Sequence, residues 1–303
     1  MPSRVPGACG NFRDVDQRNK PITIRGTEQR PGGEGTERIM DPHRDVKDVM
    51  KSFYDRNVRY HELIGGMEEG GYVYDDLITA LLSRAAVPGR RPRVIDVAAG
   101  TGYNLRVAMG AGAASFGIDL SIHACRIARG KDRDLAVCRG DAETLPFRDA
   151  AFDLALCLQL IEHTPFPEKV IAEITRVLRP GGYLFLSAPN MLGSSLFSRI
   201  LRVFPARFSG EIKRIRPLPV DILSRWDAAS NAVEVADLDA CNRVTVFHAL
   251  NLLRANGLDV VHLDTLRHPK KYRPGRYALA RALQWVPVLR YTGVNFKIIA
   301  RKR

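Results

Sequence analysis

Short apolar runs alternate with amphipathic segments through the middle of the chain. The runs are about as long as buried strands and lie at 93–97, 114–119, 136–139, 152–158 and 183–187. Between them, apolar residues recur at the spacing of one helix face. This order predicts an α/β fold of the Rossmann-like type, a three-layer sandwich in which helices cover both faces of a parallel sheet.

The most regular helical pattern precedes the fifth run. Its apolar face contains Val170, Ile171, Ile174, Val177 and Leu178, and Pro180-Gly181-Gly182 follows as a stop signal. Further helices are predicted at about 46–64, 74–86 and 247–258. Two later apolar runs, LDVVHLDTL and NFKIIARKR, predict two more strands, so we expect seven strands in total.

The first part of the chain differs in composition from the rest. Residues 1–40 contain four prolines and six glycines with little apolar periodicity, which predicts a disordered extension, and Met40 is an alternative start of translation. Residues 41–303 are predicted to form one domain. Two segments interrupt its alternating pattern, at about 190–244 and 267–291, and are expected to be insertions.

Charge and cysteine content narrow the functional classes. The net charge of +13 favours anionic partners, such as a phosphate-bearing substrate, nucleic acid or an acidic membrane surface, although a solvated basic surface explains it equally well. The five cysteines are scattered and never spaced as CxxC, so neither disulfides nor a metal site is expected. Without an apolar run of about 18 residues, a cytoplasmic protein is predicted, with peripheral membrane binding left open.

A glycine-rich turn follows the first strand, in Asp96-Val97-Ala98-Ala99-Gly100-Thr101-Gly102. Such a turn lets backbone amides approach a ligand. A dinucleotide fingerprint is disfavoured because its third glycine position holds Leu105. Asp119 ends the second strand, where a carboxylate can accept hydrogen bonds from ribose hydroxyls. Together these features predict a nucleoside site at the carboxyl ends of the strands.

Four stretches carry a more specific signal, namely VIDVAAGTGYN, FGIDLS, GDAETLPFRDAAFDLALCLQLIEH and LRPGGYLFLSAPN. In this order they resemble the motifs of class I S-adenosylmethionine-dependent methyltransferases, particularly the small-molecule branch of ubiquinone and menaquinone biosynthesis. The resemblance covers about residues 63–266. It implies a mostly parallel sheet with an antiparallel last strand, S-adenosylmethionine as cofactor, and methyl transfer as the activity.

The resemblance also implies roles for the residues of the glycine turn and the second strand. Gly100 and Gly102 would lie against the methionine part of the cofactor, above Asp96, which would order the turn or receive the cofactor's ammonium. Many relatives have glycine at Ala98, but alanine is small enough for the same turn. Asp119 would hold the ribose hydroxyls, and Leu120 would pack on the adenine.

Further along the motifs, the resemblance places Asp141 and the Ala142 amide at the adenine edge and Gln159 near the methyl group. His163 follows as the candidate general base for a hydroxyl acceptor, although a lone histidine is more often a packed or capping residue. Tyr54 and Tyr60 precede the first strand. They are expected either to cover the cofactor or to pack within their helix.

Methyl transfer to a small molecule is therefore the predicted function, with O-methylation favoured and an anionic or lipid-like acceptor. The acceptor pocket is expected in the two insertions. In the first, apolar residues at helical spacing predict an amphipathic lid, a membrane contact or simple packing, namely Leu196, Phe197, Ile200, Leu201 and Phe204. An RNA methyltransferase is an alternative, but base-amine enzymes usually have an Asn/Asp-Pro-Pro-aromatic run where this chain has Gln159-Leu160-Ile161. A noncatalytic cofactor-binding partner protein is the other alternative. The oligomeric state is left open.

Overall fold

A computed structural model describes residues 42–57, 60–61, 74–191, 240, 242, 244–265, 278, 281–282, 285, 289–291, 293 and 295–303. The predicted disordered extension and most of the two predicted insertions lie outside the described residues. In the part of the chain that is described, no helix is both long and apolar enough to cross a lipid bilayer.

Seven strands form one sheet in the order β3-β2-β1-β4-β5-β7-β6. Strands β1 to β5 are parallel, and β7 runs antiparallel to both of its neighbours, which confirms the predicted sheet. The strands are β1 Arg93–Val97, β2 Ala114–Asp119, β3 Ala136–Arg139, β4 Phe152–Leu158, β5 Leu178–Pro189, β6 Leu258–Asp264 and β7 Asn295–Lys302.

Within the described residues, six α-helices flank the sheet, and a short 3₁₀ helix, Leu289–Tyr291, precedes β7. Residues that alternate along the central strands belong to different core clusters on the two faces of the sheet, as expected when both faces are buried. One core joins Leu154 and Phe185 to Leu81, and the other joins Ala155 and Leu184 to later helices. The helices are α1 Pro42–Arg56, α2 Asp75–Ala85, α3 Tyr103–Gly110, α4 Ile122–Lys131, α5 Pro167–Val177 and α6 Val246–Ala255.

The boundary between α5 and β5 differs from the prediction. Leu178 was assigned to the helix face, but it begins β5 and pairs with Phe152, ahead of the strand start predicted at Tyr183. The proline-glycine stop signal therefore lies inside the strand. Gly181 has a φ of +76°, and the pairing of β5 with β4 is irregular between Phe152 and Leu154. Glycine's conformational freedom lets the chain bend here without leaving the sheet.

Candidate functional site

The predicted site residues meet at one edge of the sheet. Asp119 ends β2, the glycine turn follows β1, Asp141 follows β3 and Gln159 follows β4. Because these four strands are parallel, their carboxyl ends share that edge. The strand order reverses between β1 and β4, which is where open α/β sheets form ligand crevices.

Left-handed backbone shapes the turn after β1. Ala98, Gly100 and Gly102 have φ values of +67°, +52° and +79°. The Ala98 and Ala99 amides both donate to the Ile118 carbonyl, at 2.9 and 3.0 Å, which fixes the turn against β2. The sequence predicts that the turn accommodates Ala98 because its side chain is small. The structure shows that its backbone conformation is the larger concern, because a Cβ disfavours positive φ.

Replacing Ala98 with glycine is expected to raise the free energy of unfolding by about 0.5–1 kcal/mol. Removing the Cβ relieves roughly 1–2 kcal/mol of left-handed strain, and the freer unfolded chain offsets part of that gain. Urea denaturation measures the change. The matched control is Ala99→Gly in the same turn, where Ala99 is buried and φ is not positive, so stability should fall. Equal losses in both variants would contradict the strain argument.

Gly102 and Asp96 support the turn from within the protein. A Cβ on Gly102 would lie 2.8 Å from the Leu135 side chain and 3.0 Å from the Ala128 Cβ, so this glycine permits close packing against α4. Asp96 is 1% exposed, and Asn104 Nδ2 donates to its Oδ2 at 3.3 Å. These contacts order the turn, whereas the methionine contacts predicted for Gly100 and Gly102 stay a prediction.

Asp119 joins the glycine turn to the start of α4. Its Oδ2 accepts from the Gly100 amide and its Oδ1 from the Ser121 amide, both at 2.8 Å. Burial raises the pKa of the Asp119 carboxyl, and the two amides oppose that rise. Each carboxylate oxygen has a further lone pair, so both can still accept from a diol. Leu120 follows, half-buried, and its carbonyl accepts from Arg139.

An ion-pair cluster that the sequence analysis missed lies at the end of β3. Asp141 Oδ1 accepts from the Glu143 amide at 2.9 Å, while Lys47 Nζ on α1 lies 2.5 Å from Asp141 Oδ2 and 2.7 Å from Glu143 Oε2. Burial disfavours the ammonium, but both carboxylates outweigh this and raise the pKa of Lys47. Ala142, between them, packs on the core. The apolar pattern that predicts α1 does not depend on Lys47. The sequence alone therefore gives no sign that this residue forms an ion pair.

Replacing Lys47 with methionine is expected to lower the free energy of unfolding by about 1–2 kcal/mol, because the buried Glu143 loses its cation. The folded pKa of Lys47 is raised, so its stabilisation is complete below the unfolded value of about 10.4 and declines as pH rises through the folded pKa. Denaturation at pH 8 and above pH 10.5 measures both effects.

Lys51→Met is the control for the Lys47 variant. Lys51 lies one turn further along α1 and makes no ion pair with any described residue. It should lose little stability at either pH. A Lys47→Met deficit that is the same at both pH values, or that Lys51→Met shares, would contradict a stabilising role for the ammonium.

Helix α1 and the turn after it pack over the start of α4. Asp55 Oδ1 accepts from the Ile122 amide at 3.1 Å, and Ser121 Oγ lies 3.0 Å from His61 Nε2. The rings of Tyr54 and Tyr60 are 5.8 Å apart and also contact Phe53. These contacts support helix packing as one role of the tyrosines. A role in covering the cofactor stays a prediction.

On the other side of the crevice, the loop after β4 is tied to its neighbours. Gln159 has a φ of +55°, and its amide donates to the Ser187 carbonyl at 2.8 Å. His163 is half-buried, with Nε2 3.7 Å from Glu162 Oε1, and Glu162 is 2% exposed. Thr164 Oγ1 donates to Glu143 at 3.0 Å. The loop that contains the candidate base is therefore tied, through Thr164, to the loop that contains Asp141.

Two asparagines hold the edge of the crevice, and the sequence analysis did not identify either. Asn190, fully buried, donates through Nδ2 to the Tyr291 and Gly293 carbonyls at 2.8 and 2.7 Å. The Asn242 amide donates to the Glu162 carbonyl at 2.9 Å. Their partners are distant in sequence, so no local pattern could reveal them. The residues of the predicted lid, from Leu196 to Phe204, lie outside the described part of the chain.

Known protein families and solved structures include some that are similar to this chain. The model of the family described as "Methyltransferase domain" matches residues 95–186. Among solved structures, the chain is similar to an S-adenosylmethionine dependent methyltransferase from Mesorhizobium loti, with 20% identity, 74% of this chain and 96% of that chain covered, and a TM-score of 0.48.

Curated relatives are more similar in sequence. The chain is 30% identical to the ubiquinone biosynthesis O-methyltransferase of Thiobacillus denitrificans and 36% identical to the demethylmenaquinone methyltransferase of Renibacterium salmoninarum. These matches cover 47% and 34% of this chain and only 66% and 42% of the relatives' lengths.

One match extends over most of a relative. The ubiquinone biosynthesis O-methyltransferase of Methylococcus capsulatus is 30% identical over 198 residues, which is 62% of this chain and 80% of that protein. The chain belongs to the class I S-adenosylmethionine-dependent small-molecule methyltransferase family.

Proposed function

We propose that this chain transfers a methyl group from S-adenosylmethionine to a hydroxyl group of a small molecule. The observation that carries the proposal is the row of acceptors at the carboxyl edge of the sheet, where Asp141 and Asp119 lie in sequence beside a left-handed glycine turn. The resemblance of the motifs and the names of the curated relatives support the same activity.

The acceptors present at the site suit the cofactor chemically. Its ribose hydroxyls and adenine amino group are donors, and Asp119 and Asp141 are carboxylates on adjacent loops. Asp96 supplies a further negative charge beneath the turn. When bound, the cofactor supplies a methyl group activated by a positively charged sulfur. Asp119 would hold the ribose, Asp141 with the Ala142 amide the adenine, and Gln159 the region of the methyl group.

His163 would accept the proton of the attacking hydroxyl. Its Nε2 lies 3.7 Å from the buried Glu162 carboxylate, which would stabilise the imidazolium formed by that transfer. Proton removal makes the oxygen more nucleophilic, and the site's remaining task is to orient the acceptor and exclude water.

The acceptor is proposed to be anionic or lipid-like. The curated relatives named for ubiquinone biosynthesis are O-methyltransferases, which favours an oxygen acceptor. The sequence of the predicted insertions places Arg199, Arg202 and Arg207 near apolar residues, a composition that suits an acidic headgroup or a peripheral place at a membrane surface.

Calorimetric titration with S-adenosylmethionine and transfer of its labelled methyl group test the proposal. The acceptor panel contains phenols with and without isoprenoid chains, a phosphorylated sugar and transfer RNA. We expect micromolar binding and labelling of a phenol, with the label on oxygen by mass spectrometry. A folded protein that binds no S-adenosylmethionine would overturn the proposal, and labelling of the RNA alone would replace it with the nucleic-acid alternative.

A further inference from the structure

The candidate cofactor-binding residues follow one another in a defined order along the sheet edge. Asp141, Asp119, the glycine turn and Gln159 follow β3, β2, β1 and β4 in that spatial order. With adenine held at Asp141 and ribose at Asp119, as the proposed function has it, the sulfur-bearing end of the cofactor is directed toward the glycine turn and Gln159. Gln159 therefore lies at the end of the site that would receive the charged sulfur.

The backbone of Gln159 is held in an unfavourable conformation. A φ of +55° for a residue with a Cβ costs about 1–2 kcal/mol, and such residues persist where surrounding contacts hold them. Here the hydrogen bond from the Gln159 amide to the Ser187 carbonyl, at 2.8 Å, is one of those contacts. Residues in this state are concentrated at functional sites.

The side chain of Gln159, like its backbone amide, is hydrogen-bonded to Ser187. Its Nε2 donates to Ser187 Oγ at 3.3 Å, and the Ser187 hydroxyl, fully buried, lies 3.2 Å from the Tyr74 hydroxyl. The Tyr74 ring packs edge-on against Phe185 with centroids 5.0 Å apart, which fixes the far end of this chain of contacts. Since the amide nitrogen faces Ser187, the amide oxygen on the other branch is turned away from Ser187.

We propose that Ser187 and Tyr74 are positioning residues that orient the Gln159 amide oxygen toward the sulfonium, and that they make the site prefer the methyl donor to its demethylated product. The proposal rests on the proposed function. An amide oxygen carries partial negative charge, which attracts the cationic sulfur of the donor. The product has a neutral thioether whose lone pairs gain nothing from that oxygen.

Calorimetry on the full chain tests the proposal with S-adenosylmethionine and S-adenosylhomocysteine as separate ligands. Loss of one orienting hydrogen bond corresponds to about a fivefold effect. Ser187→Ala is therefore expected to raise the Kd for the donor about fivefold and that for the product less than about twofold. Tyr74→Phe should raise the ratio of the donor Kd to the product Kd in the same way, but by a smaller factor. Ser115→Ala is the control. It removes the hydroxyl of a different buried serine, which lies on β2, and should leave the ratio of the two Kd values unchanged.

Equal weakening of both ligands in Ser187→Ala, or no change in either, would overturn this inference and leave the proposed function standing. A shifted ratio in Ser115→Ala would also overturn it, because the effect would not depend on the Gln159 contact. Wild-type protein that binds neither ligand would overturn the proposed function itself. Circular dichroism and thermal unfolding establish that each variant is folded.

Discussion

Replacing His163 with alanine is expected to lower the rate of methyl transfer by about 10²–10⁴-fold, the usual contribution of a general base. The affinity for S-adenosylmethionine should be unchanged, because His163 follows β4 and has no proposed contact with the cofactor, whereas the proposed nucleoside contacts lie at the ends of β1, β2 and β3. Transfer of labelled methyl to the phenol found in the panel measures the rate, and calorimetry measures the affinity.

Two further variants test whether His163 acts as a base. His163→Gln keeps a hydrogen-bonding side chain but not a base, so it should be as slow as the alanine variant. His248→Ala removes an exposed histidine from α6 and serves as the control. A slow His163→Ala variant rescued by glutamine would show that His163 only orients the acceptor. Unchanged turnover would remove the residue from the mechanism.

Strand positions were predictable wherever burial sets a continuous apolar run. Strands β1 to β4 lie at the predicted bounds. The runs of β1 and β4 are buried along almost their whole length, as strands covered on both faces usually are, although Asp96 and Asp153 interrupt them. The edge strand β3 is buried only at Val137. The start of β5 was predicted five residues late, at Tyr183, because glycine and proline ordinarily end an element. There, pairing with β4 outweighs local preference, and Gly181 absorbs the bend.

The site was predictable only in part, for a related reason. Asp119 ends a strand and Asp141 closely follows one, so sheet topology alone brings them to one edge. Lys47 contacts Asp141 across 94 positions and Tyr74 contacts Ser187 across 113, and no periodicity records such distant pairs. The left-handed backbone at Ala98 and Gln159 was also hidden, because glycine is the residue that usually signals it.

The Asp119 carboxylate combines two tasks that a mutation separates. It accepts from the Gly100 and Ser121 amides, and in the proposed function it also accepts from the ribose hydroxyls. Asparagine in its place retains one oxygen acceptor but loses the charge. Asp119→Asn is thus expected to keep part of the turn's geometry while weakening the bonds to a diol.

Asp119→Ala is expected to weaken S-adenosylmethionine binding at least about 100-fold, since two hydrogen bonds to a charged group are worth roughly 3 kcal/mol or more. Asp119→Asn should fall between this variant and the wild type. Calorimetry gives the affinities, and Asp134→Ala, which removes an exposed carboxylate near β3, controls for net charge. Thermal unfolding separates loss of the ligand contact from loss of the fold. Wild-type affinity in folded Asp119→Ala would place the ribose elsewhere in the crevice.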